Sequence, residues 1–128
     1  MKLLSVLIAV LMMAVLFTSC KKDKTSATTR IEGNYSGKWG DVVGDPHSFF
    51  SFQIKQDGTL IRINEQGLQI ATGTWILSGN NFEATYTHTN GEKHSIGGLY
   101  TAFDGQIMGT WGYGNSKAGG GTFFLIKQ

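Results

Sequence analysis

Apolar and polar residues alternate with a period of two over most of the chain from residue 33 onward. The alternating runs are separated by turn signals, the strongest of which are Asp57-Gly58, Asn90-Gly91 and Asp104-Gly105. Such pairs between alternating runs are typical of tight β-hairpins. The pattern therefore predicts eight strands, over residues 33–39, 47–56, 59–64, 68–77, 81–88, 93–103, 106–113 and 122–127. Little helix is expected in this region, because no window keeps the 3.6-residue period of an amphipathic helix.

Eight strands joined in order by hairpins form a meander, which has two unpaired edges unless the sheet closes on itself. Closure removes both edges, so residues 33–128 are predicted to fold as an all-β, eight-stranded antiparallel up-and-down barrel. The interior of such a barrel is filled by side chains or holds one small ligand. The length of this chain favours a filled core, and a pocket at one end stays open as the alternative.

The first 19 residues have the layout of an export signal. Lys2 is followed by an apolar stretch that ends at Phe17, and small residues then lead to Cys20. About 15 apolar residues are too few to span a hydrocarbon core of roughly 30 Å comfortably. We therefore expect a cleaved signal helix over residues 1–19. Residues 20–32 are mostly polar and lack periodicity, which predicts a flexible tether.

Phe17-Thr18-Ser19-Cys20 resembles the lipobox of bacterial lipoproteins, although that family prefers Leu where this chain has Phe17 and Ala where it has Thr18. The lysines after Cys20 resemble those of Bacteroidetes lipoproteins. The resemblance implies diacylglycerol on Cys20, cleavage before it and acylation of the new terminus, and three acyl chains are ample for stable anchoring. It therefore implies a bacterial outer-membrane lipoprotein, lipid-anchored at the periplasmic face or the cell surface. An ordinary cleaved signal followed by an unmodified cysteine is the alternative.

Composition and charge exclude several classes of function. Cys20 is the only cysteine, so the fold cannot contain an internal disulfide and must rest on its core. The net charge of +2 comes from the tether, because residues 33–128 hold six basic and seven acidic residues. A nucleic-acid partner is not expected, since Lys and Arg do not cluster there.

The chain lacks the common catalytic motifs, and we predict neither an enzyme nor a cofactor. The acidic residues lie mostly in turns, where Asp serves the turn itself. His88 and His94 flank the Asn90-Gly91 hairpin, and with Glu92 they could in principle hold Zn²⁺. Two solvated histidines at a hairpin end are the simpler interpretation, so no metal site is predicted.

Three Gly-x-Trp triplets, ending at Trp39, Trp75 and Trp111, recur at intervals of 36 residues. Each Gly is expected to let the neighbouring strand come close, while the Trp fills the interior from the same face. The first triplet resembles the G-x-W of lipocalins, whose Trp closes one end of the barrel against an Arg near the C-terminus. This chain has Lys127 in that region. The triplets and the length are also similar to those of avidin-type barrels.

An aromatic set is predicted to line one end of the barrel as a ligand site: Tyr35, Trp39, Trp75, Tyr86, Tyr100 and Trp111. Aromatic walls are typical of ligand pockets, and they are equally typical of a filled core. The resulting functional hypothesis is a membrane-anchored, lipocalin-like protein that binds a small apolar or aromatic ligand. The alternative is an envelope inhibitor of a hydrolase (lysozyme or a protease) that presents loop 40–48 or 113–121, and inhibition assays would separate the two.

Overall fold

A computed structural model describes residues 30–128; the predicted signal helix over 1–19, Cys20 and most of the predicted tether lie outside the described residues. The strands are β1 (Gly33–Asp41), β2 (Ser48–Ile54), β3 (Thr59–Ile63), β4 (Gln69–Ser78), β5 (Asn81–His88), β6 (Lys93–Thr101), β7 (Gln106–Tyr113) and β8 (Gly121–Lys127). All eight predicted strands are confirmed, and each boundary lies within two residues of the prediction.

The eight strands form one closed antiparallel barrel, in which each strand pairs with the next and β8 pairs back onto β1. The closing pair has Tyr35 opposite Lys127 and Asp41 opposite Gly121. The predicted all-β up-and-down architecture is therefore confirmed, and the sheet has no free edge. Within residues 30–128 no helix is long and apolar enough to cross a membrane.

Because strand direction alternates, the connecting loops fall at two ends of the barrel. The entry end, where the chain comes in at Ile31, carries loops 55–58, 79–80 and 102–105. The distal end carries loops 42–47, 64–68, 89–92 and 114–120.

The tight hairpins are built by the turn residues that the sequence indicated. The side-chain oxygen of Asp57 accepts a hydrogen bond from the Thr59 amide at 3.0 Å, and that of Asn90 accepts one from the Glu92 amide at 2.9 Å. Between them, Gly58 and Gly91 adopt φ values of 87° and 91°. This left-handed conformation strains residues with a Cβ, so the two turns depend on glycine.

The barrel interior is filled over most of its length. Side chains that point inward from every strand form one core. Its largest fully buried members are Tyr35, Phe50, Phe52, Phe82, Phe123, Leu60, Ile96, Ile107 and Leu125. The inward face of β6, which the sequence left unassigned, carries Ile96 and Tyr100, while Leu99 points outward and is 59% exposed.

The glycines of the three triplets all lie where two strands approach closely. A methyl group added at Gly37, Gly73 or Gly109 would collide with a backbone carbonyl of the neighbouring strand. Bulky inward side chains lie beside them in the ladder, such as Phe123 opposite Gly109 and Tyr86 opposite Gly73. The predicted role of these glycines is therefore confirmed: each leaves room for a large neighbour and for tight coiling of the sheet.

The predicted tether begins to fold before its expected end at residue 32. Ile31 is only 6% exposed and belongs to the core. The hydroxyl of Tyr35 donates a hydrogen bond to the Ile31 carbonyl at 2.6 Å. The segment before β1 is therefore held against the entry end by both apolar burial and a buried hydrogen bond.

We expect Gly109→Ala to lower the free energy of unfolding by about 1–3 kcal/mol, because overpacking forces the backbone to shift. The added methyl would meet the carbonyl of Gly97 and the Cα of Gly98. Urea denaturation followed by circular dichroism measures the change. Gly44→Ala is the matched control, since nothing lies within 4 Å of its added methyl, and its effect should stay within about 0.5 kcal/mol. Equal unfolding midpoints for the two variants would contradict the close-approach role.

Candidate ligand site at the distal end

The six aromatic residues predicted to line one end are divided between the two ends. Trp39, Tyr86 and Trp111 lie together at the distal end, where they border one cavity. The other three, Tyr35, Trp75 and Tyr100, belong to the entry half of the barrel. The single-end arrangement was therefore wrong for half of the set. Strand direction is the reason for Trp75, since β4 runs opposite to β1 and β7. Tyr35 near the start of β1 and Tyr100 near the end of β6 lie at the entry side of their own strands.

The entry end is closed by satisfied polar aromatics. The indole N–H of Trp75 donates to the Lys55 carbonyl at 2.8 Å, and the Tyr35 hydroxyl donates to Ile31 as described above. Burial, reinforced by the neighbouring Tyr100, raises the pKa of Tyr35 well above its ordinary value. The Tyr35 hydroxyl therefore stays protonated and remains a donor. The aromatic side chains close this end of the barrel with their polar atoms hydrogen-bonded internally.

The distal cavity is an opening of about 40 Å³. Its walls are formed by Trp39, Phe50, Arg62, Tyr86, His94 and Trp111. The two indoles meet edge to face with ring centroids 5.1 Å apart, and the Trp111 N–H donates to the Gly40 carbonyl at 2.9 Å. The volume suits about two or three water molecules and is far below the roughly 300–1,000 Å³ of pockets that enclose a whole ligand.

Arg62 is the functional candidate that the sequence analysis missed. It lies on β3 two residues after the buried Leu60, so its side chain points into the barrel. The guanidinium lies over the ring of Phe50, 5.0 Å from its centroid, and over that of Tyr86 at 5.9 Å. Burial lowers the pKa of Arg62, but arginine stays protonated in proteins. The sequence signal that could have identified Arg62 is an arginine at an inward position of a strand with alternating apolar and polar residues.

His88 holds one side of the guanidinium. The Arg62 Nη1 donates to His88 Nε2 at 2.8 Å, so this nitrogen is the acceptor and the ring proton lies on Nδ1. Nδ1–H in turn donates to the Glu92 carbonyl at 3.1 Å. This chain of hydrogen bonds requires a neutral His88 and fixes both side chains.

The two histidines of the β5–β6 hairpin are neighbours, with ring centroids 5.0 Å apart. Zinc binding by this pair would need the His88 lone pair, which already accepts from Arg62. Within residues 30–128, no group of three or more His, Cys, Asp or Glu side chains is arranged to hold a metal ion.

His94 has a buried nitrogen without a hydrogen bond. Its Nε2 atom is enclosed and lies 3.4 Å from a Glu92 carboxylate oxygen, outside hydrogen-bond geometry. Burial lowers the pKa of His94, and the nearby Glu92 partly opposes this effect. The neutral imidazole therefore forms a polar part of the cavity wall, and its Nε2 atom can still form a hydrogen bond.

The lipocalin resemblance implied an arginine near the C-terminus against Trp39. In the structure Lys127 lies at the entry end, where its ammonium donates to the Arg30 carbonyl. Trp39 instead packs on Trp111 and shares the distal cavity with Arg62 from β3. A Trp from the first strand and an Arg thus border one cavity, but the Arg comes from β3 and not from the C-terminal strand.

The loops of the distal end carry exposed apolar side chains, which form an apolar rim at this end of the barrel. Val42 and Val43 in loop 42–47 are 72% and 96% exposed, and Leu68 in the next distal loop is 62% exposed. Tyr113, also exposed, packs against His94 with centroids 5.3 Å apart. Loop 114–120 is instead fastened to the wall, since the Thr110 hydroxyl donates to the Lys117 carbonyl. Exposed apolar side chains beside a concave site favour contact with an apolar group.

A scan against protein-family models and searches of the curated proteins and of the solved structures found no match for this chain. The small β-barrel fold is consistent with a lipocalin-like binding protein. Because a fold alone does not give a function, the function has to be inferred from the chemistry of the distal cavity.

We expect the free energy of unfolding to fall as the pH drops below about 6.5, the ordinary value for an unfolded histidine. The pKa of His94 is lowered in the folded state, so between the two values the unfolded chain binds the extra proton and is favoured. Denaturant unfolding between pH 7.5 and 4.5 measures this effect. His94→Gln should flatten this part of the profile, with the exposed His47→Gln as a control for loss of an imidazole. An unchanged profile in His94→Gln would contradict the assignment.

Proposed function

We propose that this protein is a lipid-anchored envelope protein that binds a small ligand through an apolar or aromatic group at its distal end. The observation that carries the proposal is the distal cavity itself. Aromatic rings and a few convergent polar groups are the usual composition of a ligand site, and the loops of the same end carry the apolar rim.

The filled interior restricts how a ligand binds. Below the cavity the barrel is blocked by core side chains, among them Phe50, Phe52 and Phe123, which pack edge to face. A ligand therefore inserts one end or one functional group and rests its remainder on the rim. This mode differs from that of a hollow barrel that encloses its ligand.

The direction of the chain places the cavity on the side away from the proposed anchor. Residue 30 leads into Ile31 at the entry end, and nine residues, 21–29, separate it from Cys20. Such a segment reaches at most about 35 Å when fully extended. With Cys20 acylated, the entry end is tied near the bilayer and the distal cavity is presented outward.

We expect a saturable change in tryptophan fluorescence when the chain from residue 21 onward is titrated with an apolar dye, phenol, benzamide or benzoate. Trp39 and Trp111 border the cavity, whereas Trp75 lies at the other end. Trp39→Phe should therefore reduce the response, and Trp75→Phe, the same substitution in the equivalent triplet, should preserve it. Absence of saturable binding for every probe, by fluorescence and by calorimetry, would refute a ligand site.

Replacing Cys20 by Ser should abolish acylation and release the protein from membranes, because the thiol is the proposed attachment point. The full chain is expressed in a bacterial host, membranes are separated from soluble fractions, and the intact mass is measured. The unsubstituted protein should carry the mass of three acyl chains and sediment with the outer membrane. Identical fractionation of both proteins would rule out anchoring through Cys20.

A further inference from the structure

We infer that the group admitted by the distal cavity is a carboxylate, so that the ligand class is a small organic acid with an apolar or aromatic body. The inference rests on the proposed function and specifies the chemistry of the same site. It depends on the charge of Arg62, on the hydrogen-bond donors that remain free around it, and on the shape of the opening.

Arg62 carries a charge that no carboxylate in direct contact neutralises, and Glu92 acts on it only from a longer distance. No carboxylate of residues 30–128 lies within 4.0 Å of its guanidinium, since the ion pairs found there join other cations to Glu32, Glu83 and Glu92. Tyr86 does not compensate it, because burial raises the pKa of that phenol to about 12. A partly buried cation without a counterion in contact is costly, and an anionic ligand would offset this cost.

Hydrogen-bond donors remain available at the cavity wall. A guanidinium has five N–H groups, and Arg62 uses one of them on His88. The Phe50 ring beneath the guanidinium and the hydrogen bond to His88 hold the fork in place. A positioned guanidinium suits the bidentate recognition of a planar carboxylate. The unpaired His94 Nε2 belongs to the same wall, and as a donor it would serve a carboxylate oxygen.

The shape of the site selects a charged group on an apolar body. The enclosed space of about 40 Å³ accepts a group the size of a carboxylate and not a whole ligand. Trp39 provides aromatic surface in the cavity, and Val42 and Leu68 provide exposed apolar surface in the loops of the same end. One cation, with no second basic side chain lining the cavity besides the neutral His94, fits a monoanion better than a dianion.

Benzoate and benzamide test the inference, because they have the same size and shape and differ in charge. The chain from residue 21 onward contains the whole closed barrel and its core, and its folding is checked by circular dichroism. Binding is measured by isothermal calorimetry at pH 7.5 and constant ionic strength. Benzoate should bind at least about tenfold more tightly than benzamide, the preference expected of a charge-assisted contact.

Two variants locate the preference. Arg62→Met should remove the discrimination between benzoate and benzamide, leaving weak and similar affinities for both. Lys38→Met is the matched control, because it removes one positive charge from an exposed position on β1, and it should keep the preference. If Arg62→Met fails to fold, Arg62→Lys, which keeps the charge but loses the fork, should lower the preference several-fold.

The outcomes separate the inference from the proposed function. Equal binding of benzoate and benzamide by the unsubstituted protein would overturn the carboxylate assignment and leave the ligand site intact. A preference that survives in Arg62→Met, or that disappears equally in Lys38→Met, would also overturn it. Absence of binding by both compounds, and by the dye and phenol, would refute the ligand site itself.

Discussion

The width of a closed eight-stranded barrel is the constraint on which this structure depends. At this width the interior either is filled by side chains or holds one small ligand. Here side chains fill it, so a large ring at one position requires a small residue beside it. Gly37, Gly73 and Gly109 are these small residues, and an added methyl at each would meet the neighbouring backbone. The middle of the barrel is consequently solid, without a disulfide to support it, and only an end can offer room. The ligand mode follows from this: insertion of one group, with the rest on the rim.

The two ends treat their polar groups in opposite ways. At the entry end the Tyr35 hydroxyl and the Trp75 indole each donate to a backbone carbonyl. These two side chains therefore close the barrel without leaving their own donors unsatisfied. At the distal end Arg62 has donors to spare, and His94 Nε2 is buried without a hydrogen bond. Functional sites are where a protein departs from complete internal satisfaction. Both ends are rich in aromatic residues. The hydrogen-bond donors left free at the distal end distinguish a ligand site from the closed entry end.

Most of the fold was predictable because its determinants are local. Turn pairs such as Asp57-Gly58 set the hairpins through contacts within a few residues, and period-two apolarity set the faces of most strands. The candidate site was only half predictable. Alternation shows which face an aromatic side chain occupies, but not which end it reaches. The triplets recur every three strands, an odd number, so the direction reverses at β4 and Trp75 points away from Trp39 and Trp111. Ile31 was missed because one apolar residue in a polar segment has no periodicity.

The sequence by itself determined the strand count, the antiparallel meander and the need for glycine at close approaches, because these depend on neighbours along the chain and on the pleat. It also contained the resemblance to a lipoprotein signal, which ends at Cys20. Tertiary structure alone decided that Arg62 joins His88 and His94, since it comes from β3, which pairs with neither β5 nor β6. It also decided that the positive charge of Arg62 lies among aromatic rings. No carboxylate is paired to Arg62 within residues 30–128. The order of charged residues along a chain does not show which of them lack an oppositely charged partner in the closed barrel.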